Sequence, residues 1–431
     1  MGQFPWPQYL KLNQLDALPR VGNIVLIVRW GVFGIIRSVR HLSRRLDTRC
    51  RDGRILGRGM PIGNGLRIPS RSDPEPPELG WRKIYIMSGD TLSDLLRAVR
   101  LRGALFFYVE GSHPWVAETP NQREVIPAIL PGVDHMMEFH GIAQGSCWAA
   151  IAGEKPIRCE EGDLVIFPQG DAHVMSSAPG MRAREVDPGI YFTPRPPQLP
   201  FAINVDEEGN TTALLDGGGK DKTTIVCGFL GCDARPFNPL LAAMPRVLHI
   251  PGLARDSSWV GTFLRSVVEE SNRKRPGGEA VLERMSEMLF VEVLRRYVDA
   301  MPAEQTGWLA GLRDPSVGRA LALMHDSPAE AWTIEQLGEG AGLSRSALHE
   351  RFVHFIGQPP MQYLASWRMQ LAAALLRDTD AKVIEVALDV GYENETAFSR
   401  AFRRAVGESP AAWRRSRRSR AAKPARARAI P

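Results

Sequence analysis

Two stretches of this chain carry nearly the same pattern, and that duplication constrains the fold more than any other feature. The first reads EGAGLSRSALHERFVHFIGQPPMQYL from Glu339; the second reads DVGYENETAFSRAFRRAVGESPAAW from Asp389. In the first copy Thr333 and Gln336 are spaced as a capping box, and Ile334, Leu337 and Ala341 share one helical face. Gly342 suits the left-handed residue that ends a helix. Ser344 then caps a second helix, on which Leu348, Phe352 and Phe355 recur at spacings of four and three and define a buried face. The second copy repeats this. Asp380 is placed to cap a helix that buries Val383, Ile384 and Ala387; Gly391 turns the chain; the next helix, from about Asn394, buries Phe398 and Phe402. Gly357 with Pro360, and Gly407 with Pro410, close the two units. Helix, glycine turn, helix is the helix-turn-helix motif.

The buried faces fix which residues point outward: Arg345, Ser346, His349 and Glu350 in the first unit, and Glu395, Thr396, Ser399, Arg400 and Arg403 in the second. Between the units, MQYLASWRMQLAAALLR (361–377) reads as one helix of about 25 Å at 1.5 Å per residue. One turn of B-DNA is about 34–36 Å. A rod of this length can present two recognition helices to successive major grooves, so duplication doubles the reading by a single chain. The competing interpretation is a protein-interaction module of two hairpins.

The match extends further. Residues 314–413, including DPSVGRALALMHDSP, WTIEQLGEGAGLSRSALHERF, PPMQYLASWRMQLAAALLRD and VALDVGYENETAFSRAFRRAVGESPAAWR, resemble the DNA-binding domain of AraC-type transcription regulators. The resemblance implies base contacts from Ser346, His349, Glu350, Glu395, Thr396, Ser399 and Arg400. The chemistry is compatible, since Glu accepts from cytosine, Arg grips guanine, and Ser or Thr serves either way. Arg345, Arg403 and Arg404 are assigned to phosphates.

Upstream, residues 87 to about 235 show short β-like runs (ALFFYVE, CWAAIA, DLVIFP, TTIVCGFL) separated by Gly, Pro and Asp, which suggests a sandwich or small barrel. GDLVIFPQGDAH (162–173) resembles the second motif of cupin barrels; there the position of His173 is a metal ligand in metal-binding members, and the Asn expected next is Ser177. The first cupin motif is incomplete: DHMMEFH supplies His135, Glu138 and His140 at a different spacing. No metal and no cofactor are therefore expected, and His140 and His173, with Trp115 and Trp148, are assigned to an effector pocket; both tryptophans have an equally good reading as core. Over 87–300 the chain resembles the cupin sensor of an AraC-type subgroup, matching TLSDLLRAVRLRGALFF, NPLLAAMPRVLHI and PGGEAVLERMSEMLFVEVLRRY.

The expected organisation is a disordered or mis-annotated extension over 1–86 (translation starting near Met87), a cupin-like β-barrel over 87–235, a helical linker or dimerisation region over 236–306, an all-α tandem helix-turn-helix domain over 307–415 and a basic disordered tail over 416–431. In the linker, Leu282, Met285, Leu289, Val293 and Tyr297 form one stripe, either core or the seam of a homodimer. The apolar run at 21–36 contains Asn23 and Arg29 and is shorter than the ~20 residues a spanning helix needs. Five scattered cysteines argue against a disulfide framework and for a reducing cytoplasm; Cys227 and Cys232 read as buried thiols, with a metal pair as the alternative. The net charge of +6 suits a polyanionic partner. The expected partners are double-stranded promoter DNA, a small-molecule effector, RNA polymerase and a second copy of the chain. A metal-cupin enzyme with a DNA-binding tail, and an architectural DNA binder without ligand, are the rival readings.

Overall fold

The computed structural model describes residues 90–183, 201–205, 211–212, 220–254, 259–273 and 276–422. The extension expected over 1–86 lies outside them. The chain enters through α1 (Thr91–Ala98), capped by Asp90, whose carboxylate accepts from the amides of Leu92 and Ser93. Then follow β1 (Arg102–Ser112), β2 (Val116–Thr119), α2 (Gln122–Ile129), β3 (His135–Gln144), β4 (Ser146–Ile151), β5 (Ile157–Glu160), β6 (Leu164–Phe167), β7 (His173–Ser176), β8 (Phe201–Val205), β9 (Thr211–Thr212), β10 (Lys222–Cys232), α3 (Pro239–Ala243) and β11 (Leu248–Ile250).

These strands form two sheets, in the orders β11-β6-β3-β10-β1-β8-β9 and β2-β7-β4-β5. The expected barrel is not closed. β6 and β7 flank the Pro-Gly turn but belong to different sheets, and β11 pairs with the edge of β6 that closure would need. The cupin half is therefore a two-sheet sandwich. Alternation along each strand sends Met136, Val165, Phe167, Ile225 and Phe229 of the large sheet, and Cys147, Ala149 and Met175 of the small one, into the space between sheets. On its other side the large sheet buries Met137, Phe139, Ile166 and Leu230 against α4 (Trp259–Arg273) and α5 (Gly278–Ala300). Leu282, Leu289 and Val293 are buried there and Met285 and Tyr297 are half-buried, so the stripe is core within this chain and not an open dimer seam. Cys227 faces the space between sheets and Cys232 the helical side; the two thiols do not share a site.

The C-terminal part is helical: α6 (Trp308–Arg313), α7 (Pro315–Asp326), α8 (Ile334–Ala341), α9 (Arg345–Ile356), α10 (Pro360–Asp378), α11 (Val383–Asp389), α12 (Glu395–Val406) and α13 (Pro410–Ala422). Both helix-turn-helix units form. The Thr333–Gln336 capping box is present. Ser344 and Asn394 cap the second helix of each unit by accepting from Ala347 N and Ala397 N. Gly342 and Gly391 are left-handed, at φ +73° and +82°. Two details depart from expectation. Asp380 does not cap α11: it pairs with Arg418 at 2.7 Å, while Lys382 is the cap residue and its amide donates to Glu385 at 2.7 Å. Val386 and Ala387 are buried there, with Val383 and Ile384 half-buried. And the basic run expected to lie free from 416 is helical as far as Ala422, because Arg417 is anchored, as described below.

The core of this domain contains an unusual polar chain. Trp308 Nε1 donates to the Tyr363 hydroxyl at 2.8 Å, and that hydroxyl lies 2.8 Å from His325 Nε2. The hydroxyl has one proton, so it donates to His325, whose ring is stacked on Trp367 at 4.0 Å. Burial pushes the His325 pKa down to about 3. Because the folded value lies below the unfolded one of about 6.5, the neutral ring's contribution to stability is complete above that pH and falls by about 1.4 kcal/mol per pH unit from there toward the folded value. We predict that the stability difference between the parent and His325→Gln, measured by urea unfolding, shifts by about 2 kcal/mol in favour of the variant between pH 7 and pH 5. An unchanged difference would mean the ring charges freely in the folded protein.

Candidate functional site

The surface expected to face DNA is formed by α9 and α12. Phe352 and Phe398 are fully buried, which turns Arg345, Ser346, His349 and Glu350, and Glu395, Thr396, Arg400, Arg403 and Arg404, to the exterior; Ser399 is half-buried. Arg345 reaches back to Glu335 on α8 at 2.9 Å in an exposed ion pair. Such an exposed pair is worth little. Arg351, also on α9, instead holds Asp314 through Nε and Nη2 at 2.5–3.0 Å, while the same carboxylate accepts from Ser316 N and Val317 N. That residue is therefore structural, tying the recognition helix to α7.

In the sensor, the expected pocket residues separate. Trp148 alternates to the outer face of the small sheet, where it is half-buried, because Cys147 and Ala149 take the inner positions. Trp115 is core between the sheets, its indole N–H without a hydrogen-bond partner among the described residues. His140 and His173 meet: their Nε2 atoms are 2.8 Å apart. Glu138 completes a trio, 3.8 Å from His140 and 3.6 Å from His173. All three are buried, and their ligating atoms lie within 4.8 Å of one another. Burial pushes Glu138 up to about 8, His173 down to about 4, and His140 well below its usual value. Burial thus disfavours the charged form of all three groups.

Its surroundings orient the trio. Gln122 Nε2 donates to Glu138 Oε2 at 2.7 Å. His173 Nδ1 lies 2.9 Å from the carbonyl of Asp171, and its ring stacks on Phe167 at 3.7 Å. His140 Nδ1 faces the Cys227 thiol at 3.0 Å. His135 is not part of the group; its Nε2 bonds the Pro168 carbonyl. Nor is Ser177, whose hydroxyl accepts from Trp115 N. A separate open cleft of about 550 Å³ runs between β3 and α4, lined by Ile142, Glu161, Gly162, Leu264 and Arg265, and touches none of the expected pocket residues.

The cupin domain and the helical domain are in direct contact. Gln370, buried in the middle of α10, donates to Ala98 O at 3.0 Å and accepts from Phe237 N at 3.0 Å. Arg377 of α10 forms a buried pair with Asp233, just after β10. Arg417 of α13 makes a bidentate pair with Asp134, just before β3, at 2.6 and 2.7 Å, with its guanidinium over the Trp413 ring at 3.9 Å. These contacts span from 133 to 283 residues of sequence, so spacing gave no sign of them.

A two-sheet cupin-like domain packed against tandem helix-turn-helix units defines a DNA-binding transcription regulator. Residues 90–299 match the cupin family and residues 337–416 the helix-turn-helix domain. A putative AraC-like transcription regulator of Streptomyces lividans is 29% identical over 327 residues, covering 76% of this chain and 98% of that protein. An HTH-type transcriptional regulator of Haemophilus influenzae is 30% identical over 280 residues, covering 64% and 86%. A solved DNA-binding domain of AdpA, a global transcriptional factor in complex with a target DNA, is 34% identical, covering 25% of this chain and 96% of that one with a TM-score of 0.24. The chain belongs to the AraC-type transcription regulators that carry an N-terminal cupin domain.

The buried pair between the two parts makes a sharp test. Arg377 also donates to Asp378 through Nε and Nη2 at 2.8 and 2.7 Å, so losing Asp233 leaves it a partner, whereas losing Arg377 strands the buried Asp233 at a cost of about 3–5 kcal/mol. We predict a loss of that order in urea unfolding for Arg377→Met and a smaller one for Asp233→Leu, with more than half of the Arg377→Met loss recovered in the double variant. Additive losses would show that the two side chains do not depend on each other.

Proposed function

We propose that this regulator is a one-component switch of the cytoplasm: a small-molecule effector bound in the cupin domain changes how the helical domain is held, and the helical domain reads a specific promoter sequence. The observation that carries this reading is the direct seating of α10 and α13 on the sensor through Gln370, Arg377 and Arg417. An effector acts only through unequal affinity for two arrangements, and these contacts are the part of the chain that two arrangements would hold differently. No catalytic step enters the reading. Ser346, His349, Glu350, Glu395, Thr396, Ser399 and Arg400 are assigned to bases, and Arg345, Arg403 and Arg404 to phosphates; RNA polymerase and a second copy of the chain are the protein partners.

Selection of duplexes from a random-sequence pool by the full chain tests the proposal: enrichment of one site supports it, and equal affinity for all sequences returns the architectural reading. At the enriched site, His349→Ala and Arg400→Ala are each predicted to weaken binding by about 1–3 kcal/mol while leaving random duplex unchanged, and Arg403→Ala to weaken both alike. Equal effects of all three on both duplexes would overturn the base assignments.

A further inference from the structure

We infer that Arg368 is a positioning residue that sets the base-pair spacing this protein accepts between the two stretches of DNA read by α9 and α12. The inference rests on the reading above that both helices contact bases, and it adds what fixes their relative phase.

Arg368 lies near the middle of α10 and bonds to both helix-turn-helix units at once. Its Nε donates to Pro328 O at 2.7 Å and its Nη2 to Glu330 O at 2.8 Å. Both carbonyls belong to the loop that runs from α7 to the Thr333 cap of α8, the entry to the first unit. Its Nη1 donates to Gly391 O at 3.4 Å, in the turn of the second unit. The same turn touches the same loop. A Cβ on Gly391 would stand 2.7 Å from the carbonyl oxygen of Ala329 and 2.9 Å from its Cα. A Cβ on Gly342, the matching turn residue of the first unit, would meet nothing within 4 Å. Both glycines are left-handed, but of the two Gly391 must also leave room for a neighbouring backbone.

The choice of acceptors makes this a gauge of position. All three are main-chain carbonyls, and among the described residues no carboxylate pairs with this guanidinium. A carboxylate on a flexible side chain can follow a moving partner, whereas a carbonyl moves only with its backbone. The guanidinium carries its donors in a rigid planar fork. It therefore binds loop and turn together only when they hold one relative position. The onward links are short. Trp332 Nε1 donates to Ser327 O across the loop at 2.9 Å, and Thr333 then starts α8. Beyond Gly391, Tyr392 packs edge-on against Phe398 of α12 at 5.6 Å. Moving the loop away from the turn thus moves one recognition helix relative to the other. One base pair inserted between two DNA boxes shifts one of them by about 3.4 Å and turns it by about 35°, a change that the clamp and the Gly391 contact both resist.

The test uses the full chain and the duplex enriched from the random-sequence pool. The box under α9 is located by the positions at which His349→Ala relaxes base preference, and the box under α12 by those at which Arg400→Ala does. Duplexes with one base pair inserted or removed between the boxes are then titrated against the enriched spacing. The parent is expected to lose about tenfold or more in affinity at each altered spacing, the size of a mismatched base pair. In Arg368→Met, which keeps the stem without the fork, that ratio is expected to shrink to about threefold or less. Arg368→Lys, which keeps the charge without the fork, is expected to behave the same way, and it decides alone if Arg368→Met does not fold. A ratio unchanged in the variants overturns the positioning role, including the case in which all duplexes weaken alike. A ratio restored by lysine assigns the effect to charge and overturns the clamp. A parent indifferent to spacing, although both boxes matter, overturns the inference alone. A parent for which scrambling one box changes nothing overturns the two-helix reading beneath it.

Discussion

The arrangement of this protein depends on one helix that has almost no free face. Thirteen of the nineteen residues of α10 are buried, and a helix apolar nearly all round is stable only when covered from every side. Tyr363 meets Phe352 of the first unit at 5.7 Å. Toward its other end, the carbonyl of Ala373 accepts from the indole of Trp413, which packs against Phe402 of the second unit at 6.2 Å. A third side faces the sensor through Gln370 and Arg377. The spacer between the two helix-turn-helix units is thus also the element that the cupin domain grips.

The polar groups in this interface govern register more than strength. Gln370 is matched by one main-chain donor and one main-chain acceptor of the sensor, and no slid position of α10 would satisfy both. Buried ion pairs add little net stability over apolar packing, but they penalise misalignment heavily. Asp233 is pulled two ways: burial raises its pKa, and Arg377 lowers it. A contact of this kind defines one docking geometry sharply while holding it with modest net energy.

The sequence disclosed what local chemistry decides. The capping box, the left-handed glycines and the aromatic spacings each depend on residues within one turn of each other, and they appear as read. Departures arise where a distant partner intervened. Asp380 was drawn from its capping role by Arg418, and the basic segment after residue 414 became helical because Arg417 found Asp134. The fate of Trp148 turned on strand phase: a one-residue shift exchanges the faces of a strand, and CWAAIA is apolar at both phases. The open sandwich was invisible because β11, which blocks closure at β6, arrives from more than 80 residues downstream as three residues of unremarkable sequence.

The trio shows the same division. Glu138 and His140, two apart on a strand, must share a face, and that half was readable in EFH. What no spacing could supply is that His173 enters from the second sheet, and that Gln122 and Cys227 lie behind the ligands. A sandwich with an apolar interior tolerates three polar groups at its centre only where they satisfy one another. Two of those groups, Glu138 and His140, lie on β3, which begins directly after Asp134, one of the carboxylates holding the helical domain; His173 lies on β7 of the other sheet. The feature most costly to the core of the cupin domain therefore shares β3 with one of the contacts that fix the docking geometry, while the other such contact follows directly on its neighbour β10.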